Sequence, residues 1–191
     1  MEFTQVSQST FEELQLEAGV VLKTFDPSSP TVADANIVCA TTGGVNVTCE
    51  PSYNDFGEDI DNVPNNTKEL KRIESWECKF AFTALNITAD TIKLALGAAT
   101  KTAATQSALA KVEPNAELAS ADFVDIWWVG DRADGGMVAV KLVNALSTGG
   151  FNLQTTKAGK GELSVELTGH VSIDDTDTVP MEFYVAEGAG A

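Results

Sequence analysis

With 191 residues, 43% of them hydrophobic, the chain holds enough apolar material for one sizeable core and a single domain, taken as residues 1–191. Its 28 acidic side chains against 12 Lys and Arg leave a net charge of −16. That balance excludes a protein that grips nucleic acid through its phosphates, which needs a basic footprint. No apolar run is long enough to span a bilayer, and neither a charged-then-apolar leader nor a lipidation motif stands at the start, so the expectation is a chain made and kept in a cytoplasm, with no membrane partner.

The first element in the chain is "AGVVLKTF" (18–25), a strand by composition, followed by a loop at "DPSSP". "VNVTCE" (45–50) alternates Val45, Val47 and Cys49 against Asn46, Thr48 and Glu50, the period of a strand with one polar face. A long acidic loop is expected over about 51–67. Its centre, "NDFGEDIDNVPNNT", carries Asp55, Glu58, Asp59 and Asp61 and no basic residue, although hairpin loops ordinarily need two to five residues. "SWECKFAFTA" (75–84) then places Trp76, Cys78, Phe80, Phe82 and Ala84 on one face, with Glu77, Lys79 and Thr83 on the other.

One helix is expected, at "TADTIKLALG" (88–97): Thr88 as N-cap, Asp90 in the first turn, Gly97 near the end, and Ile92, Ala95, Leu96 and Ala99 along one stripe. Residues 100–112 read equally as a continuation of that helix or as a loop. In "FVDIWWV" the adjacent Trp127 and Trp128 must point to opposite faces of a sheet, so both faces look apolar and the second needs the helix or a neighbouring subunit to cover it. Glycine-bearing turns separate "MVAVKLVNAL", "FNLQTT" and "ELSVELTGHVSI" (162–173), whose Leu163, Val165, Leu167, Val171 and Ile173 oppose Glu162, Ser164, Glu166, Thr168, His170 and Ser172. "MEFYVA" is the last strand, before a Gly/Ala tail at about 187–191 that is expected to fray. The fold class that results is mainly β: two packed antiparallel sheets, as a sandwich or distorted barrel, flanked by one α-helix.

Catalytic chemistry finds no candidates. His170 is the only histidine, and Ser164 on the same strand lies about 20 Å away, beyond hydrogen-bond reach. One histidine and three scattered cysteines, Cys39, Cys49 and Cys78, do not make a zinc or copper site, and the cysteines read as buried free thiols. Neither Asp55–Asp61 nor the cluster Asp174, Asp175 and Asp177 follows the ligand order of a calcium-binding EF-hand loop. No phosphate-binding loop is present. The expectation is a protein that is not an enzyme and uses neither cofactor nor metal.

The order of these elements, with "DIWWVGD", "LVNALSTGG" and "VPMEFY" as its best local carriers, resembles the major tail protein of long-tailed, siphovirus-type bacteriophages, the subunit of the tail tube, over roughly Glu17 to Tyr184. The resemblance implies a β-sandwich or barrel flanked by a helix, assembled into six-membered rings that stack into a tube around a channel. It implies partners in further copies of the chain and in other tail proteins such as the tape measure, terminator and distal tail proteins. DNA would pass through without specific binding, and the location would be the virion tail, after assembly in the host cytoplasm. On that basis the acidic loop, disordered in the monomer, is expected to dock on the adjacent ring through Asp55, Glu58, Asp59 and Asp61, with Lys68, Lys71 and Arg72 as counterparts. Glu77, Glu162 and Glu166, with neutral Asn152, Gln154 and Thr156, are the candidates for the channel wall, where carboxylates present like charge to phosphates. Trp76, Trp127 and Trp128 are assigned to core or interface. The competing reading is an acidic β-sandwich binding module, calcium-dependent or not, that recognises a sugar or a protein.

Overall fold

The computed structural model describes residues 6–188 except Gln8 and Ser107. Strand accounts for 49% of the chain and helix for 9%, so sheets must cover each other and the fold is a mainly β, sandwich-like one. One half comprises β1 (Gln15–Leu22), β2 (Ile37–Cys39), β7 (Val124–Arg132), β8 (Met137–Ser147) and β11 (Met181–Ala186), in the spatial order β2-β1-β7-β8-β11. The other comprises β3 (Thr41–Asp55), β4 (Lys71–Ala84), β9 (Asn152–Gln154) and β10 (Glu162–Thr168), with β10 between β4 and β9. All of these pairings are antiparallel.

Strand β8 belongs to both halves. Its first part pairs with β7 and β11, and its Leu146 and Ser147 pair with Thr168 and Leu167 of β10. Between the two parts, Asn144 adopts a left-handed backbone (φ 48°), a conformation asparagine tolerates better than most residues, and the β7–β8 register shifts beside it. The bulge bends the strand from one sheet into the other. Its N–H donates to the Asp125 carboxylate at 3.1 Å, and its side-chain amide donates to the His170 carbonyl at 3.2 Å.

The alternation expected for β4 and β10 is present. Phe80, Phe82 and Ala84 are buried opposite Leu167, Val165 and Leu163, and Val47 and Val45 extend the rows into β3. Against them pack Val21, Cys39, Ile126, Val140, Leu142 and Met181 from the other half. Trp127 and Trp128 do take opposite faces. Trp128 packs on this main core and its indole N–H donates to the Ala18 carbonyl at 2.9 Å. Trp127 joins a second cluster with Leu22, Phe25, Val129 and Ala139, flanked at 5.5 Å by the rings of Phe25 and Tyr184. Within the chain, Trp127 on the second apolar face is therefore covered by the segment following β1 and by Tyr184 of β11, and not by the helix: Phe25 lies just past the end of β1 and folds back over Trp127.

Helix α2 (Ala89–Leu96) forms where expected; a four-residue helix, α1 (Ser9–Glu12), was not foreseen. Thr88 and Thr91 cap α2 reciprocally, with the Thr91 N–H on the Thr88 hydroxyl at 3.2 Å and the Thr88 N–H on the Thr91 hydroxyl at 2.8 Å. That bonding, with a further bond to the Asn86 carbonyl, allows Thr91 to be buried beside Ala95, while Ile92 and Leu96 of the expected stripe are only half-buried. Gly97, left-handed at φ 74°, ends the helix. Residues 100–112 are neither helix nor plain loop. The chain reverses through a two-stranded hairpin of β5 (Ala99–Thr102) and β6 (Lys111–Pro114), for which β-branched threonines are suited.

Strand β10 stops at Thr168, short of the expected Ile173. A side chain at Gly169 would meet Leu142 at 2.8 Å and the Pro180 carbonyl at 2.9 Å, so the chain passes close under β8 and then leaves the sheet. Val171 and Ile173 are exposed as a result, Ile173 at 92%. His170 consequently sits off the polar face, its ring edge-on to Phe123 at 5.3 Å. Of the tail, Gly188 donates to the Asp134 carboxylate at 3.2 Å, and residues 189–191 lie outside the described residues. Phe80 is fully buried at the centre of the main core, and Phe80→Ala should lower unfolding free energy by about 3–5 kcal/mol in urea titration.

Candidate functional site

Two surfaces concentrate the residues singled out by sequence. The first is the outward face of the β3–β4–β10–β9 sheet. Register brings Thr168, Lys79 and Thr48 into one row, Glu166, Ala81 and Asn46 into the next, and Ser164, Thr83 and Thr42 into a third. Asn152 faces Ser164 and Gln154 faces Glu162 at one side, and Glu77 faces Glu50 at the other. The expected wall residues Glu77, Glu162, Glu166, Asn152 and Gln154 thus share one continuous polar face. Thr156 does not, because β9 ends at Gln154 and Thr156 opens the turn that follows.

Lys79 is the cation within that set. Its ammonium lies 2.5 Å from Glu77 and 3.8 Å from Glu166. Its pKa is held above the ordinary lysine value, first by the hydrogen bond to Glu77 and further by the charges of Glu77, Glu166 and Glu50, against a smaller opposing effect of burial. From the next row, the lysine offsets repulsion among these carboxylates, of which Glu50 and Glu77 lie directly opposite each other across the strands. Four carboxylates (Glu50, Glu77, Glu162 and Glu166) and one ammonium still leave three negative charges uncompensated among these residues. An open concavity of about 450 Å³ lies on this face, lined by small or polar side chains including Thr42, Asn46, Asn152 and Glu166.

The second surface is an arm. Strand β10 pairs with β4 only from Lys79 onward, whereas β3 pairs with it down to Lys71. Beyond Cys49 and Cys78 the hairpin therefore runs on as a two-stranded ribbon. The expected loop of about 51–67 is corrected accordingly: Pro51–Asp55 are strand, and the turn occupies residues 56–70. The inward row continues along the ribbon as Pro51 with Trp76, Tyr53 with Ile73 and Asp55 with Lys71, a bulge after Ser52 keeping the faces in step. Tyr53, Ile73 and Trp76 are 52%, 53% and 37% exposed, so Trp76 stands beyond the core proper. A groove of about 440 Å³ beside Trp76 and Ile73 is walled by Val171, Thr178, Val179 and Pro180.

The turn is internally bonded. The Asp55 carboxylate accepts from the Gly57 N–H at 2.9 Å and from the Asn66 N–H at 2.7 Å, and the Phe56 N–H donates to the Leu70 carbonyl at 3.2 Å. Those bonds, Gly57's first, hold the Asp55 carboxyl below its ordinary range. Of the docking candidates, Lys71 donates to Asn66 at 3.2 Å and lies over the Tyr53 ring at 4.9 Å. Arg72 donates to the carbonyls of Glu69 and Lys71, and Lys68 pairs with Glu69 at 3.5 Å. Glu58, Asp59 and Asp61 project from the tip without an ion pair among the described residues. The exposed apolar row is the surface feature that sequence reading missed. Its signal was legible: Pro51 and Tyr53 extend the Val45, Val47, Cys49 alternation.

Among the described residues no three His, Cys, Asp or Glu side chains converge as metal ligands, and no helix is long and apolar enough to cross a membrane. Asp175 is engaged by the Thr178 hydroxyl at 2.6 Å. The three cysteines form no disulfide, Cys39 and Cys78 being buried and Cys49 half-buried. No protein-family model matches the sequence, and a search of curated proteins finds no match.

Asp55→Ala should leave the global unfolding transition in place while removing hydrogen-exchange protection at the Gly57 and Asn66 amides. Because the folded pKa of Asp55 lies below its ordinary value of 3.8, its hold on the turn is complete above that pH and is lost as pH falls through the lower folded value. NMR titration should show those two amides shifting together with a midpoint below 3.8.

Proposed function

We propose that the chain is a structural subunit of a bacteriophage tail tube, assembling with copies of itself into stacked six-membered rings around a channel through which DNA passes. The observation that carries this reading is the arm. It holds Tyr53, Ile73 and Trp76 in an apolar row away from the chain's own core, and such a row on a projecting element suits a surface that a neighbour covers. Head-to-tail contact of that kind does not close on itself between rings, which is how a small subunit makes a filament. Glu58, Asp59 and Asp61 at the tip would meet the adjacent ring, with Lys68, Lys71 and Arg72 of a neighbour as counterparts once their weak local contacts exchange.

The polar sheet face supports the other half of the proposal. A wall bearing Glu77, Glu162 and Glu166, its one lysine already engaged by carboxylates, presents like charge to passing phosphates and no free cation for them to pair with. Strands β3 and β11 offer open edges, which serve as joints between subunits in a ring. The protein would then act in the virion tail, with the tape measure, terminator and distal tail proteins as further partners, and without catalytic activity.

Negative-stain electron microscopy across a concentration series should show rings or uniform hollow tubes. Dispersed monomers throughout, together with a calcium-dependent rise in melting temperature, would replace this reading with that of a binding module. If tubes form, the double replacement Asp59→Asn with Asp61→Asn should raise the concentration needed for assembly several-fold and leave the fold intact. Unchanged assembly would remove those carboxylates from the inter-ring contact.

A further inference from the structure

At the root of the arm, Cys49 and Cys78 are direct partners across β3 and β4, both on the inward side of the sheet, with sulfur atoms 2.6 Å apart. That is about half an ångström beyond the ~2.05 Å of an S–S bond. The Cys78 carbonyl accepts the Gly169 N–H, on the side away from β3. A strand residue directs its N–H and C=O to the same side, so Cys49 and Cys78 form a non-hydrogen-bonded pair. In such pairs the Cα atoms lie about 4.5 Å apart and the side chains are closest, within the ~4.4–6.8 Å that a disulfide spans. A direct pair of this kind brings the two side chains within the span that a disulfide needs.

We propose that Cys49 and Cys78 are an oxidisable pair, closed into a cross-strand disulfide by a small-molecule disulfide such as oxidised glutathione. The half-buried Cys49, as thiolate, attacks one sulfur of the oxidant, forming a mixed disulfide and releasing one molecule of the small thiol. Cys78 then attacks the Cys49 sulfur and releases the second. Two protein thiols are oxidised, the oxidant is reduced to two thiols, and the two protons lost by the cysteines are carried off on them. The order follows from access: Cys78 is fully enclosed, and burial, reinforced by its contact with Cys49, pushes its thiol up to about 12. Cys39 lies on β2 in the other half of the sandwich and takes no part.

The bond would staple the two strands where the ribbon leaves the body. On the tail-tube reading, it would fix the arm once the particle reaches an oxidising medium; the thiol chemistry itself does not depend on that reading. The test is a thiol count on folded, dispersed protein after incubation with oxidised glutathione, acid quench and denaturation. Free thiols should fall from three to one, with loss of two hydrogen atoms in intact mass and recovery of a linked Cys49–Cys78 peptide. In Cys39→Ser both remaining thiols should disappear, and in Cys49→Ser no internal disulfide should form. Retention of all three thiols, or a bond that involves Cys39 or joins two chains, would overturn the proposal. Because the count is made on dispersed protein, it is independent of whether tubes form.

Discussion

Strand β8 has to serve two sheets, and the left-handed turn of its backbone at Asn144 makes that possible. An unbroken strand would carry its pairing with β7 and β11 straight on and leave β10 without its neighbour. With the bulge, Leu146 and Ser147 swing over to Thr168 and Leu167 while Leu142 stays in the main core. The strained residue is held from several directions: Asp125 takes its N–H, its side-chain amide reaches the His170 carbonyl, and the Val143 N–H beside it donates to the Pro180 carbonyl. Such over-determination is what keeps a non-glycine residue in a sparsely populated region.

The rest of the architecture follows from where that bend places the second sheet. Because β10 ends at Thr168, where the chain leaves the sheet at Gly169, its pairing with β4 stops at Lys79, and the outer part of the β3–β4 hairpin has no third strand among the described residues. The core row nonetheless continues along the hairpin past the point where an opposing sheet covers it. The exposed row of Tyr53, Ile73 and Trp76 follows from that geometry, and the cysteine pair, set by the β3–β4 register, lies at the last covered position of the same row. On the opposite side of the same strands, the unbroken alternation produces the carboxylate face, with Lys79 reducing the repulsion that such a face would otherwise build up.

Much of this was legible from period alone. The inward sets of β4 and of β10 up to Leu167, the opposed tryptophans, and the helix with its Thr88 cap and Gly97 end all fold as their patterns indicate. Each failure has its own physical cause. Val171 and Ile173 continue a perfect alternation, yet the chain leaves the sheet at Gly169 because Leu142 and Pro180 crowd it there. Pro51 and the charges after it looked like the start of a loop, but β3 has an open edge at Pro51, so a residue without an N–H costs the ladder nothing. Residues 100–112 carry no strong period, and their hairpin is decided by Gly97 ending the helix and turning the chain.

The sequence by itself determined the fold class, the two faces of each strand and the acidity of one of them, because side-chain alternation and charge are local properties of the chain. Tertiary structure alone decided which strands bend, which alternating runs are cut short, that Phe25 covers the second tryptophan face, and that Cys49 meets Cys78. Those outcomes depend on contacts between residues far apart in the chain, which a period of two cannot specify.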